Sequence, residues 1–316
     1  MKARADRGAS AEGSDRSAGD EAREPFRSYY GRPIIKEPTW KVPDVPAYLY
    51  LGGMAGASSV MGALAQLRGY SRLRRVGLLC AAGGSGASVL ALIHDLGRPR
   101  RFLNMLRVFK PTSPLSVGSW ILAPFSALSG AVAISEITGF ARPLARVTAG
   151  FAAVLAPAMT TYTAVLLADT AVPGWHETRR ELPFVFAFSS VAAAGALGTG
   201  LAPRSEAAPA RRMAVLGSLG ELLASRVLEQ RAGRIAEAYR TGRAGTTLRT
   251  ARVLAAGCAL GALFARRSGS VAVLVGVSGT AASAATRYGV FEAGRETARD
   301  PYYTVVPQRQ DSRSEQ

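Results

Sequence analysis

The chain has 316 residues, with 39 Lys and Arg against 22 Asp and Glu, a net charge of +17 and a mean hydropathy of +0.11. The charge is concentrated in short blocks between uncharged stretches at 47–67, 76–93 and 113–135. Helices of this length match the hydrocarbon thickness of a bilayer, which argues against an ordinary soluble fold. The basic blocks contain no aromatic-interleaved stripe, so they indicate contact with lipid headgroups and exclude a nucleic-acid partner.

The two ends of the chain differ in composition from its centre. Residues 1–24 are rich in Ala, Gly, Ser and charged side chains, which predicts a disordered N-terminal tail. Residues 25–46 are punctuated by proline and carry aromatic side chains, so we expect a segment that lies across the membrane face or packs against a partner. A transmembrane helical domain is predicted over 47–287, followed by a polar C-terminal tail over 288–316.

The central part predicts an all-α integral membrane protein with about eight transmembrane helices. The Gly, Ala and Ser side chains that crowd these helices allow close approach of their backbones and predict a tight bundle. The sixth span carries Glu221 and Arg226, so an interfacial helix is an alternative there. The predicted spans are 47–67, 76–93, 117–137, 147–171, 181–201, 213–228, 250–265 and 270–287.

The cysteine and histidine content limits redox chemistry within the chain. Cys80 and Cys258 each fall inside an apolar run, and the histidines are His94 and His176. An iron–sulfur cluster takes about four thiolates, and bis-histidine haem ligation needs histidines at matching depth on helices. We therefore expect no haem and no iron–sulfur cluster in this chain, so electrons would pass through a bound organic cofactor or a neighbouring subunit.

The connection between the second and third predicted spans has the most specific sequence. Residues 94–102 read HDLGRPRRF, 104–114 read NMLRVFKPTSP and 118–120 read GSW. Together with YLYLGGMAG at 48–56 and YTAVLL at 162–167, these motifs resemble the NrfD/PsrC family of polysulfide reductase-type membrane subunits.

The resemblance implies a membrane anchor subunit that is not catalytic alone. Such a subunit binds a quinone, here expected to be menaquinone, near the membrane face. It exchanges electrons with a ferredoxin-like iron–sulfur subunit, which serves a molybdopterin catalytic subunit. The implied location is the bacterial cytoplasmic membrane, with several passes and contacts to membrane lipids.

The resemblance also implies quinone-site residues. Tyr162 matches a fourth-span tyrosine of the family, Asp95 matches the acidic residue of its D-L-G-R-P loop, and Tyr48 stands where relatives have a first-span histidine. A buried phenol must find a hydrogen-bond partner, so Tyr162 would bind a quinone carbonyl or the backbone of a neighbouring helix. Tyr48 is alternatively an aromatic-belt anchor.

His94 and Asp95 are the ionisable pair of the candidate site. A carboxylate beside an imidazole at the membrane face could share a proton near neutral pH. The structural alternative is that Asp95 caps the following turn or pairs with Arg98.

Acidic residues within spans are costly and suggest a proton relay. Asp169 lies seven residues after Tyr162, on the same helical face. Glu221 is a second relay candidate, with a structural ion pair to Arg226 as the alternative. Glu136 and Glu292 are expected to be interfacial.

The basic residues of the 94–114 connection are candidates for docking an acidic ferredoxin-like partner, with lipid headgroup contact as the alternative. They are Arg98, Arg100, Arg101, Arg107 and Lys110. A transporter or ion-conducting bundle, using Asp169, Glu221 and a helix broken near Pro157, is the rival function. An inert anchor for soluble subunits is a third possibility.

Overall fold

The computed structural model of the chain describes residues 35–304, and within them every regular element is a helix. The all-α prediction is therefore confirmed for this part of the chain. The predictions for residues 1–24, 25–34 and 305–316 lie outside the described residues. The α-helices are α1 (Asp44–Leu67), α2 (Ser71–Leu96), α3 (Pro99–Met105), α4 (Pro114–Thr138), α5 (Arg142–Ala168), α6 (Pro173–His176), α7 (Leu182–Leu201), α8 (Ala208–Arg231), α9 (Ala236–Arg240), α10 (Gly242–Phe264) and α11 (Gly269–Arg299).

Six of these helices are long and apolar enough to cross a membrane, namely α2, α4, α5, α7, α10 and α11. Large apolar side chains on their outer surfaces are exposed, including Phe151, Val253 and Leu274. This pattern is typical of lipid-facing helices, because an exposed apolar side chain costs no free energy in the hydrocarbon of the bilayer. The chain is thus a multi-pass helical membrane protein. Helices α1 and α8 are similar in length but are not apolar enough to be counted with these six. The count of about eight spans therefore stays a prediction.

The last helix differs from its predicted bounds. It continues beyond residue 287 to Arg299, because Gly289, Ala293 and Gly294 maintain a face of small residues buried in the bundle. Residues 288–299 therefore belong to the helical domain rather than to a C-terminal tail.

Local signals explain where several helices begin and end. The Ser113 side chain accepts a hydrogen bond from the Ser116 amide at 3.5 Å, and Pro114 occupies the first position of α4. Both features are typical of helix starts. Gly97 and Gly139 end α2 and α4 with φ of 70° and 74°, a left-handed conformation that glycine adopts without steric cost.

The long helices run in alternate directions, which sorts their connections onto two faces of the bundle. The face that carries α3, here called the α3 face, also holds residues 35–43, 169–181, 232–241 and 300–304. The opposite face holds the short connections 68–70, 139–141, 202–207 and 265–268. There Glu206 accepts a hydrogen bond from the amide of Arg72 at 2.7 Å, and Glu136 pairs with Arg74 at 2.5 Å.

Small residues bring neighbouring helices into backbone contact. A Cβ added to Gly77 of α2 would lie 2.6 Å from the amide nitrogen of Gly62 in α1. Likewise, a Cβ on Gly198 of α7 would lie 2.8 Å from the Cβ of Ala210 in α8. Close approach of this kind is what Gly and Ala permit between membrane helices, so the predicted tight bundle is confirmed.

The described part of the proline-rich segment, residues 35–43, crosses the α3 face. The ring of Trp40 stacks on Trp175 at 5.4 Å between centroids. Glu37 accepts hydrogen bonds from Arg299 at 2.7 Å and Arg295 at 2.8 Å. These bonds hold the pKa of Glu37 below its ordinary value, and the bond from Arg299 has the larger effect. The described part of the segment is therefore packed on its own chain at the α3 face, and its contact with the membrane face stays a prediction.

Candidate functional site

A small cavity lies near the α3 face, between the first four long helices. Its position follows from chain direction, because it is bounded by the start of α1, the end of α2, the start of α4 and the end of α5. The lining is apolar apart from two phenols and one hydroxyl, and consists of Tyr48, Leu92, Pro114, Leu115, Gly118, Ser119, Tyr162 and Leu166.

Tyr162 provides the distinctive polar group of this cavity. Its side chain is buried, and its hydroxyl has no hydrogen-bond partner among residues 35–304. Among the described residues, Tyr162 therefore does not form the alternative hydrogen bond to the backbone of a neighbouring helix. An unpaired buried hydroxyl costs about 1–3 kcal/mol, so a ligand that accepts its hydrogen bond would recover this free energy.

Two glycines make room for the phenol of Tyr162. A Cβ on Gly118 of α4 would lie 2.8 Å from two ring carbons, so the ring rests directly on that backbone. A Cβ on Gly52 of α1 would lie 3.8 Å from the phenol oxygen and 3.3 Å from the hydroxyl of Ser88. The sequence predicted Tyr162 but not this supporting pair, whose only signal was the Gly-rich composition of the two helices.

Tyr48 lies on the first turns of α1 and is 3% exposed. It faces the cavity and therefore does not occupy the lipid-facing position of an aromatic-belt anchor. Its backbone carbonyl accepts a hydrogen bond from Ser88 at 3.2 Å, which fixes α1 against α2 beside the cavity. The structure thus brings Tyr48 and Tyr162 to one site, as the motifs predicted.

His94 and Asp95 are near this region but do not line the cavity. The His94 Nδ1 contacts Asp44 at 2.7 Å rather than Asp95. Asp95 accepts a hydrogen bond from the Lys41 amide at 3.1 Å, so its partner is Lys41 rather than Arg98. Both contacts tie the segment before α1 to the end of α2, and this supports the structural alternative for Asp95.

The relay candidates lie in different places. Asp169 is exposed at the C-terminal end of α5, on the α3 face. Glu221 is 2% exposed and accepts a hydrogen bond from Thr286 at 2.5 Å. The alternative ion pair with Arg226 does not form, because Arg226 points to the outside of α8. Glu292, expected at the interface, is buried and accepts a hydrogen bond from Arg295 at 2.9 Å.

Arg287 is a functional candidate that the sequence reasoning missed. It was placed at the end of the last span, but α11 continues past it and its side chain is 0% exposed. The small residues Gly289, Ala293 and Gly294, which recur at helical spacing after position 287, were the signal that could have revealed a longer helix.

The five predicted docking cations all lie on or beside α3 and are exposed. They form what is here called the basic surface, made of Arg98, Arg100, Arg101, Arg107 and Lys110. Pro114 and Leu115, which follow this connection directly, line the Tyr48–Tyr162 cavity. The basic surface and the cavity are therefore adjacent. The described residues contain no group of three or more His, Cys, Asp or Glu side chains arranged to hold a metal ion.

An apolar bundle with a small, partly open cavity beside a basic surface defines a membrane-embedded helical protein with a candidate site for a small ligand. The family model described as "Polysulphide reductase, NrfD" matches residues 36–231, which is more than half of the chain, and the chain belongs to this family. Its members are typically membrane subunits of oxidoreductase complexes. The matched region contains the whole cavity and the basic surface, whereas α10 and α11 follow it. No curated protein matches the chain in a sequence comparison.

Proposed function

We propose that this chain is the membrane subunit of a molybdopterin and iron–sulfur oxidoreductase complex of the bacterial cytoplasmic membrane, and that its Tyr48–Tyr162 cavity binds the ring of a quinone, menaquinone in particular. One observation carries the quinone assignment: the buried Tyr162 hydroxyl is unpartnered at a cavity among the described residues. A quinone carbonyl is an acceptor that would satisfy it.

The chemistry of the cavity supports a ligand that combines an apolar ring with a carbonyl group. Leu92, Leu115 and Leu166 supply apolar walls, and Tyr48 offers a second phenol.

When bound, the quinone supplies the capacity to carry two electrons and two protons. Tyr162 would hold the ring by donating its phenolic hydrogen bond to a carbonyl oxygen. Asp169, two helical turns further along α5 and exposed, is the proposed point at which protons pass between water and the site. His94 and Asp95 would support the site indirectly, by fixing the end of α2 against the segment that precedes α1.

The basic surface is the proposed contact for a ferredoxin-like iron–sulfur subunit. Its five exposed cations adjoin the cavity, so an acidic partner docked there would bring its cluster close to the quinone. Complementary charge would set the orientation and the rate of docking. Electrons would then pass between this partner and a molybdopterin catalytic subunit.

Quinone binding is tested on the purified chain in detergent, with a short-chain naphthoquinone titrated by quenching of tryptophan fluorescence. We expect Tyr162→Phe to weaken binding about two- to tenfold, because one lost hydrogen bond is worth about 0.5–1.5 kcal/mol and about 1.4 kcal/mol corresponds to a factor of ten. Tyr70→Phe, at the opposite face, is the control and should bind like the wild type. Equal affinities for Tyr162→Phe and the wild type would exclude this site.

Docking is tested by purifying the tagged chain from its native membranes at low salt. The expected co-purifying subunit carries iron–sulfur absorbance, dissociates as ionic strength rises, and is absent when Arg100 and Arg107 are both changed to Glu. Arg142→Glu with Arg146→Glu, a double change on the opposite face, is the matched control. Retention of the partner by the Arg100→Glu/Arg107→Glu protein would contradict this surface.

A further inference from the structure

A second cavity lies in the other half of the bundle, between α8, α10 and α11, and is narrow, with a volume of about 20 Å³. Its inner end is formed by Glu221, Ala255 and Thr286. Towards the α3 face the lining includes Glu229 and Arg252, since α8 runs towards that face and α10 begins there. The cavity therefore extends from the interior of the bundle towards one membrane surface.

Glu221 is incompletely satisfied at the inner end of this cavity. Its Oε1 accepts a hydrogen bond from Thr286 at 2.5 Å, while its Oε2 is buried without a partner in the described part of the chain. A carboxylate in a membrane bundle needs a partner or a proton, because an unsatisfied charge there is expensive.

Arg287 is the neighbouring buried cation, on the turn of α11 that carries Thr286. Its Nη2 donates to the Phe186 carbonyl and to the Ser190 hydroxyl, both at 2.8 Å, and its Nε donates to the Leu49 carbonyl at 3.4 Å. Its Nη1 has no partner among the described residues. Glu221 and Arg287 make no ion pair within 4.0 Å there, so each of these opposite charges keeps one open hydrogen-bonding position.

The outer part of the cavity is polar and reaches water. Glu229 pairs with Arg252 at 2.6 Å and with Arg240 at 3.2 Å, and these two arginine side chains are 33% and 55% exposed. A cavity of this size with polar groups at both ends is large enough to hold water, which satisfies buried donors and acceptors. The polar and ionisable groups around Glu221 are Ser189 of α7, Ser218, Ser225 and Glu229 of α8, Tyr239 of α9, Arg252 and Cys258 of α10, and Thr286 and Arg287 of α11.

We propose that Glu221 is a proton-exchanging carboxyl group that is reached from the α3 face through water in this cavity. The proton moves from that water to Glu221 Oε2 and returns by the same route, with Arg287 as the fixed counter-charge. This inference rests on the proposed function in one respect only, namely that the exchanged proton is used in quinone chemistry. Access to Glu221 itself requires no quinone and no partner.

The access route is tested by infrared difference spectroscopy of the full-length chain in detergent, recorded in H2O and in D2O over a range of pH. A carboxyl group that exchanges its proton with water gives a C=O band that appears on protonation and shifts to lower frequency in D2O. We expect such a band from Glu221, identified by its absence in Glu221→Gln, in addition to the bands of exposed carboxyl groups such as Glu177.

Two variants on one helix distinguish the cavity from other routes. Ser225 lines the cavity, so Ser225→Phe should block it and abolish the Glu221 band while leaving the bands of exposed carboxyl groups unchanged. Leu223, 65% exposed on the outside of α8, provides the matched control Leu223→Phe, which should show the Glu221 band of the wild type. Absence of an exchangeable Glu221 band in the folded wild type, or an equal band in both variants, would overturn the proposal. Neither result bears on quinone binding, because that is measured separately through Tyr162→Phe.

Discussion

Gly118 of α4 lies directly beneath the ring of Tyr162, so that an added Cβ would come within 2.8 Å of two ring carbons. Such a distance is too short for a real Cβ contact, and one of the two groups would have to move. Because the Tyr162 ring forms a wall of the cavity, the geometry of the site depends on the absence of a side chain at position 118.

Gly118→Ala is therefore expected to displace the Tyr162 ring and to weaken naphthoquinone binding, while the fold persists. Gly130→Ala, on the same helix, is the matched control, since a Cβ there meets nothing within 4 Å. Equilibrium titration of both proteins with the naphthoquinone checks the prediction. Unchanged affinity in Gly118→Ala would mean that the ring position does not determine binding.

Tyr162→Phe should separate binding from stability. Its hydroxyl is buried without a partner among the described residues, so its removal should leave thermal stability unchanged or slightly higher. Tyr239→Phe is the contrasting variant, because that hydroxyl donates to the Gly174 carbonyl at 2.7 Å and lies 3.2 Å from the Thr178 hydroxyl. It should lose about 1 kcal/mol of stability and retain quinone binding. Thermal unfolding in detergent measures both, and a marked loss of stability in Tyr162→Phe would contradict the assignment.

Sequence patterns located the helices and the two tyrosines of the cavity for identifiable reasons. Long uncharged runs require helices in a bilayer, and the motifs at 48–56 and 162–167 fixed where Tyr48 and Tyr162 fall. The hydrogen-bond partners of Asp95 and His94 were not predictable from such patterns. Asp95 binds the Lys41 amide, and His94 binds Asp44, because the segment before α1 folds back over the end of α2. Such contacts join residues fifty or more positions apart and leave no local pattern.

The buried charges show a second limit of sequence reasoning. An ion pair between Glu221 and Arg226 was the alternative that the sequence offered, but Glu221 is buried whereas Arg226 is exposed on the outside of α8. Its actual neighbours, Thr286 and Arg287, come from α11, whose continuation past residue 287 the charge pattern concealed. Charged residues near the end of an apolar run resemble a membrane boundary even where the helix remains packed in protein.

The Glu37 contact predicts an acid-dependent change at the α3 face. Hydrogen bonds from Arg299 and Arg295 lower the pKa of Glu37 relative to its ordinary value of 4.5. A carboxyl group with a lower pKa in the folded state stabilises that state above pH 4.5, and this contribution disappears as the pH falls through the folded-state pKa. The effect should be small, because the Glu37 side chain is 37% exposed and its ion pairs are screened by solvent.

We therefore expect the segment 35–43 to loosen reversibly below pH 4.5. Fluorescence in a Trp120→Phe background reports it, since Trp40 and Trp175 remain and are stacked at 5.4 Å. Glu37→Gln should show the loosened signal already at neutral pH, whereas Glu177→Gln should not. A Glu37→Gln protein with an unchanged acid transition would assign the transition to another group.

Arg287 predicts the largest loss of stability in the bundle. It joins three helices, because its guanidinium group contacts the backbones of Leu49 in α1 and Phe186 in α7 and lies 3.9 Å from the Phe186 ring centroid. Arg287→Met should destabilise the protein by about 3–5 kcal/mol, since it leaves Glu221 without its buried counter-charge. Arg226→Met, on the outside of α8, should have little effect.

The double variant Glu221→Gln/Arg287→Met distinguishes charge compensation from packing. If the loss in Arg287→Met arises from the uncompensated carboxylate, removing that charge as well should restore much of the stability, because replacing both members of a buried pair is often nearly neutral. If the loss arises from the contacts of Arg287 with Leu49 and Phe186, the double variant should remain as unstable as the single one. The midpoints of thermal unfolding for the wild type, both single variants and the double variant give the coupling energy between the two residues directly.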